Sequence, residues 1–187
     1  FYGNDVKEVD DLARWSSSLW LDYFNTRCCP YDGCMNGGAN DLAFVLVGKN
    51  TAATPDGRKA GEPLAGPHDP RQAVVKNGPL SYLKSVATLE FDKFRCGGAI
   101  NLRFDANSVR GEEATAKVRD LIETYFYEMG GMQLHFTVAD TAVLRAAQEN
   151  PQDYQDLIVR IAGFSAYFTH LPFEDQEDYI SRCELSV

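Results

Sequence analysis

Basic side chains are in short supply. Lys and Arg number 18 against 27 Asp and Glu, which leaves a formal net charge of −9 with the three histidines neutral. A surplus of that sign repels phosphate backbones and anionic lipid, and the basic residues are scattered, so no nucleic-acid or membrane role is expected. Long apolar runs are missing too. The longest candidate, LAFVLV at 42–47, falls far short of the ~20 residues that cross a bilayer. Cysteine is sparse and odd in number: Cys28, Cys29, Cys34, Cys96 and Cys183 make a poor disulfide framework and predict a reducing, cytoplasmic location.

What remains is ordinary globular material. The 187 residues are 44% hydrophobic and 12% aromatic, enough for one well-cored α/β unit or part of a larger one, and too apolar for disorder as the main state. The sequence opens at Phe1 without an initiator Met and already inside helical patterning, so a segment or processed subunit is expected. Apolar spacing predicts a helix over 5–24, with Asp5 and Glu8 as a capping box and Val6, Val9, Leu12, Leu19 and Tyr23 on its apolar face. LAFVLV has the length of a buried strand. A long loop from 48 to 72 then carries four prolines and four glycines, and loops of that length are usually functional or disordered. YLKSVATLEF predicts a helical turn running into a strand. AINLRF (99–104) alternates as a half-buried strand does, and 112–128 is the clearest helix. A glycine turn and strand follow in GGMQLHFTVAD, then a helix over 141–148, a short helix opened by Pro151, an extended segment or loop through IVRIAGFSAYF, and a last helix over 173–183.

The segment RIAGFSAYF raises the sharpest question. Gly163 gives up packing area in a stretch that otherwise reads as buried. One reason is conformational, since glycine alone tolerates positive φ or a close backbone approach. The other is chemical. Loss of one α-hydrogen leaves a planar carbon conjugated to both an electron-donating amide nitrogen and an electron-withdrawing carbonyl, and any side chain would crowd that plane. Such a radical needs a dry, packed setting, and Ile161, Ala162, Phe164, Ala166 and Phe168 form an apolar cuff of that kind in the sequence.

The wider wording of the chain bears on this choice. VRIAGFSAYF with the downstream DQEDYISRCE resembles the C-terminal signature of glycyl radical enzymes. TPDGRKAGEPLA, GPLSYLKSVATLEF followed by GGAINLRFD, GGMQLHFTVADTAVLRAAQENPQDYQDLIVR and FYGNDVKEVDDLA resemble further blocks of that family, in the same order and across nearly the whole chain. The TPDGR loop and AGFSAYF look more like the dehydratase and lyase branch than the pyruvate formate-lyase branch. Cys183 stands where the family usually has Thr, and Thr137 where it usually has Asn.

The resemblance implies the C-terminal part of a glycyl-radical-type α/β barrel with an inserted radical loop. In this picture 1–187 is a single unit, 1–110 a barrel-completing segment with the long Pro/Gly loop, and 111–187 the glycyl radical domain. Gly163 would be the catalytic residue that stores the radical, with Arg160, Ile161, Ala162, Phe164, Ser165 and Tyr167 supporting its loop. No cofactor or metal would be bound. A partner activase using S-adenosylmethionine and an iron–sulfur cluster would install the radical. The radical would pass to a catalytic Cys, which lies upstream in the family and is absent here, so a companion large subunit or N-terminal segment would supply that Cys, the base and most of the pocket for a small-molecule substrate. The implied function is an anaerobic radical lyase or dehydratase, incomplete alone. A spare-part protein that restores an oxygen-damaged radical loop, and a non-catalytic assembly domain, are the alternatives.

Other side chains have simpler readings. Cys28, Cys29 and Cys34 lack the CxxC pair or neighbouring His that would complete a metal site, and they precede LAFVLV, where the family has no catalytic loop; small apolar residues in a loop is the plainer account. Cys96 and Cys183 are expected as buried thiols. His68 and His170, beside prolines, are expected at the surface or hydrogen-bonded, and His135 as a structural strand residue. Arg160 would orient loop carbonyls or form an ordinary ion pair. Tyr167 would stack on the loop, while Asp56 and Arg58 would fix the conformation of the long loop.

Overall fold

The computed structural model describes residues 1–29, 33–39, 44–71, 74–161 and 164–181. Helix α1 (Lys7–Asn25) is followed by the short strands β1 (Cys28–Cys29) and β2 (Gly33–Cys34), and by helices α2 (Phe44–Lys49) and α3 (Gly78–Ala87). Strand β3 (Ile100–Asp105), helix α4 (Glu112–Glu123) and strand β4 (Leu134–Ala139) form a strand–helix–strand unit, and helix α5 (Thr141–Glu149) comes next. The chain then forms strands β5 (Ile158–Ile161) and β6 (Phe164–Tyr167), and ends its described part in helix α6 (Phe173–Ser181). This is an α/β unit. Its described strands make three two-stranded sheets: β1–β2 and β5–β6 antiparallel, β3–β4 parallel.

The centre of the larger core is β3. Ile100, Leu102 and Phe104 are fully buried, and Phe104 stacks on Phe136 of β4 at 5.8 Å between ring centroids. Leu83 and Val86 of α3, with Tyr125 just after α4, close over them. The alternation expected for AINLRF is therefore present on one face, but Arg103 on the other face is also buried, at 4% exposure. Its guanidinium lies over the Tyr179 ring of α6, which takes the place of solvent on that face of β3. A smaller second core joins Leu144 and Ala147 of α5 to Val159, Phe168, Tyr179 and Ile180.

Four expectations are corrected. Helix α1 forms, but the face predicted to be buried is not: Leu12, Leu19 and Tyr23 are exposed together with Trp15, while Asp10 and Leu21 turn inward. The capping box does not form either. The Asp5 carboxylate pairs with Lys84 at 3.2 Å, its amide donates to the Ser85 hydroxyl at 2.9 Å, and the cap position falls to Val6. These bonds tie α1 to α3 along its polar side. LAFVLV does not give a strand, since its described residues open the helix α2, where Phe44 and Gly48 are buried one turn apart. Gly48 lies against the backbone of Glu62 and Pro63, with no room for a Cβ. YLKSVATLEF continues the helix begun at Gly78 and then makes a 3-10 turn at Phe91–Lys93 instead of a strand. Tyr82, Leu83 and Val86 are buried at helical spacing there, and the Thr88 hydroxyl caps the Ser85 carbonyl at 2.6 Å.

The long loop has internal order. Arg58, 3% exposed, donates to the carbonyls of Glu62 at 2.5 Å, Thr51 at 3.3 Å and Ala52, and it pins a turn closed by the Gly57 amide on Thr54. Asp56 accepts from the Thr54 hydroxyl in the same turn. Both residues hold the loop, as expected of them.

Because Phe104 sits at the centre of the larger core, Phe104→Ala should cost about 3–5 kcal/mol in urea unfolding. Tyr127→Ala, at a side chain 87% exposed, should stay within roughly 0.5 kcal/mol of the parent.

Candidate functional site

The segment singled out by sequence becomes a β-hairpin. Ile158 pairs with Tyr167, Val159 with Ala166, Arg160 with Ser165 and Ile161 with Phe164. The amide of Phe168 donates to the Leu157 carbonyl at 2.8 Å and closes the open end. Ala162 and Gly163, which join the strands in sequence, lie outside the described residues, as does the Phe164 side chain. Alternation sorts the rest. Val159 points into the smaller core while Ile158 and Tyr167 are exposed, and Phe168, just past β6, is fully buried against Tyr179. Of the expected apolar cuff, Phe168 is thus buried, and Ile161 and Ala166 are half-buried.

The supporting residues are placed as follows. Arg160 is exposed and donates from Nη1 to Oγ of Ser165, its cross-strand partner, at 3.4 Å. Tyr167 lies beside His170, 5.3 Å between ring centroids, and His170 is exposed as expected. Beside the hairpin, a cleft of about 330 Å³ runs between β4 and β5, lined by Phe136, Val138, Val143, Ile158, Arg160 and Tyr179 among others.

Helices α5 and α6 position this hairpin, and each is fixed from outside. Asp140 caps α5 by accepting from the amides of Ala142 and Val143 at 3.0 and 3.2 Å. Asp105, at the end of β3, accepts from the Thr141 hydroxyl at 2.6 Å and amide at 3.2 Å, and from the Asn107 amide at 2.9 Å. Those donors, the Thr141 hydroxyl first, hold the Asp105 carboxyl down at about 2. Arg145 and Gln148 of α5 both bond the Glu177 carboxylate of α6. The Arg103 guanidinium lies 5.0 Å above the Tyr179 ring, tying β3 to α6. Sequence reading missed Arg103, because strand alternation assigns it to solvent.

The remaining candidates fall elsewhere. His68 is a correction: it is buried, with its imidazole 4.6 Å from the Phe94 ring and against Gly98. Burial pushes it below its ordinary pKa, although the nearby Asp69 charge opposes the shift. Cys96 is also corrected, being exposed, with its thiol on the Asn36 carbonyl at 3.4 Å. Cys183 lies outside the described residues. His135 is half-buried on β4, in register with Asn101. Cys28 and Cys34 are exposed and Cys29 half-buried. Among the described residues no group of three His, Cys, Asp or Glu is arranged to hold a metal ion.

A family model described as the glycine radical domain matches residues 65–169, more than half of the chain, and the match encloses the hairpin and Gly163. The chain belongs to the glycyl radical enzyme family. Among its family relatives is the indoleacetate decarboxylase of Tractidigestivibacter scatoligenes, 36% identical over 98% of this chain and 21% of that protein. The (2S)-3-sulfopropanediol dehydratase of Klebsiella oxytoca is 34% identical over 98% of this chain and 23% of that protein. In structure, the chain superposes on the glycerol-bound B12-independent glycerol dehydratase of Clostridium butyricum with a TM-score of 0.90 and 36% identity, covering all of this chain and 24% of that one. It spans between a fifth and a quarter of the length of these glycyl radical enzymes.

The lowered Asp105 value sets a pH dependence. A carboxyl ordinarily near 3.9 when unfolded and near 2 when folded adds stability that is complete above about pH 4 and lost as pH falls towards 2. Asp105→Asn should flatten that acid limb, as measured by thermal unfolding across pH 2 to 5.

Proposed function

We propose that Gly163 stores the radical of an anaerobic glycyl radical dehydratase or lyase, and that this chain presents it on the β5–β6 hairpin. The match of the glycine radical model across the hairpin carries the reading. A process of elimination supports the choice of glycine. Seven other glycines fall in the matched segment. Gly78, Gly97, Gly111 and Gly130 adopt positive φ, and a Cβ at Gly66, Gly98 or Gly131 would overlap Asp69, His68 or Tyr125. Each of the seven therefore has a conformational or packing reason to be glycine.

In this reading, an activase that uses S-adenosylmethionine and an iron–sulfur cluster removes one α-hydrogen from Gly163. The glycyl radical then takes hydrogen from a cysteine thiol, and the sulfur radical takes hydrogen from a small-molecule substrate. The apolar neighbours Ile161 and Phe168 keep water away, and Arg160, Ser165 and Tyr167 hold the strand ends. The catalytic cysteine, the base and most of the pocket come from a companion large subunit or an N-terminal segment, which completes the α/β barrel around the hairpin. Residues 1–110 then form the barrel-completing part and 111–187 the glycyl radical domain. The lengths of the relatives support a contribution from beyond residues 1–187, since three-quarters or more of each lies outside the match. So does the stripe of Leu12, Trp15, Leu19 and Tyr23 along one side of α1, each side chain more than half exposed. Contiguous apolar surface of this sort marks an interface.

After anaerobic activation by a cognate activase, electron paramagnetic resonance should show a carbon-centred radical on this chain, and Gly163→Ala should abolish it. A signal that survives that substitution places the radical elsewhere.

A further inference from the structure

The β1–β2 hairpin sets two thiols face to face. Cys28 is directly opposite Cys34, and Cys29 is opposite Gly33. The Met35 amide donates to the Arg27 carbonyl at 3.1 Å, so the 27/35 pair is hydrogen-bonded and, by the alternation of an antiparallel ladder, the 28/34 pair is not. Partners at such a position stand about 4.5 Å apart at Cα with their side chains together on one face, inside the roughly 4.4–6.8 Å that a disulfide spans. Cys29, one residue on, belongs to the opposite face and faces a residue without a side chain.

The register is held from both ends. The Arg27 amide donates to Phe24 at the end of α1 at 3.0 Å, and Gly37, just past β2, donates to the Asn25 side chain at 3.2 Å and accepts from the Cys96 amide at 3.0 Å. Ala39 then donates to the Gly97 carbonyl at 3.1 Å and bridges Gly98, beside the start of β3. Both opposed thiols are unbridged and exposed to solvent, so a small oxidant can reach them.

We propose that Cys28 and Cys34 are a reversible dithiol pair, closed to a disulfide by exchange with a small-molecule disulfide of the glutathione type. One thiolate of the pair attacks the small disulfide, forms a mixed disulfide and releases one small thiolate. The second protein thiolate attacks the protein sulfur of that mixed disulfide and releases the other small thiolate. Two protein thiols are oxidised, one small disulfide is reduced to two thiols, and those thiols take up the two protons. The second step is intramolecular and its partners are already opposed, so ring closure outruns accumulation of the mixed disulfide. Cys29 lacks such a partner and stays a thiol or a simple adduct. The pair is independent of the radical at Gly163.

The test uses the full chain, purified reduced, treated with oxidised glutathione, alkylated and cleaved before Asp32, which separates Cys34 from Cys28 and Cys29. The two peptides should remain joined until a reductant is added, with the link mapped to Cys28 and Cys34. Cys29→Ser should keep the cross-link, and Cys28→Ser or Cys34→Ser should lose it. A link through Cys29 or Cys96, or persistent glutathione adducts on Cys28 and Cys34 with no cross-link, would overturn the proposal.

Discussion

The docking of the β5–β6 hairpin onto α5 and α6 is the contact on which the rest depends. A two-stranded hairpin is marginal by itself in water, so its position is set by what it is packed against. Val159 and Phe168 are the anchors, buried among Leu144, Ala147, Tyr179 and Ile180. Burial of side chains of that size contributes about 1.5–3 kcal/mol each, whereas an exposed cross-strand pair such as Arg160 with Ser165 adds roughly 0.2–1 kcal/mol. Packing therefore decides where the strand ends are held, and the polar pair trims the register. The helices are themselves referred to β3, through Asp105 on Thr141 and Arg103 over Tyr179. The larger core thus sets the frame in which the paired strands β5 and β6 are held.

The element types were legible where apolar spacing was long. The helix over 112–128, the strands within AINLRF and QLHFTVAD, and the helix opened at Thr141 all follow the pattern of their side chains. Short runs misled. Six apolar residues in LAFVLV are compatible with strand or helix, and the spacing of Phe44 from Gly48 was the signal for a helical turn. Helix α1 shows a deeper limit: its most apolar stripe is exposed in this chain, and its inner face is set by Leu21 in the core, Trp20 on Phe94 and the bonds around Asp5 and Ser85. Arg103 and His68 were missed because each is buried through contacts far away in sequence, Tyr179 for one and the rings of Phe91 and Phe94 for the other. Gly163 is the candidate for a different reason. Neither periodicity nor propensity singles it out, but the ordered wording around it does.

The exposed apolar side of α1 and the open hairpin share one explanation in the proposed reading. Each would be a surface of a larger enzyme, made interior by the part of that enzyme outside residues 1–187. The radical chemistry makes the same demand, because a carbon radical survives where water and oxygen are excluded. In that reading the fold supplies the store and its scaffold, and the rest of the enzyme supplies the thiol and the seal.

The central claim is that an unpaired electron resides on a glycine α-carbon of this hairpin. The most direct measurement is the magnetic resonance spectrum of activated chain made with α-deuterated glycine. One remaining α-hydrogen splits a glycyl signal into a doublet, so the spectrum should collapse to a single broadened line on deuteration. A doublet unchanged by the label would contradict the account.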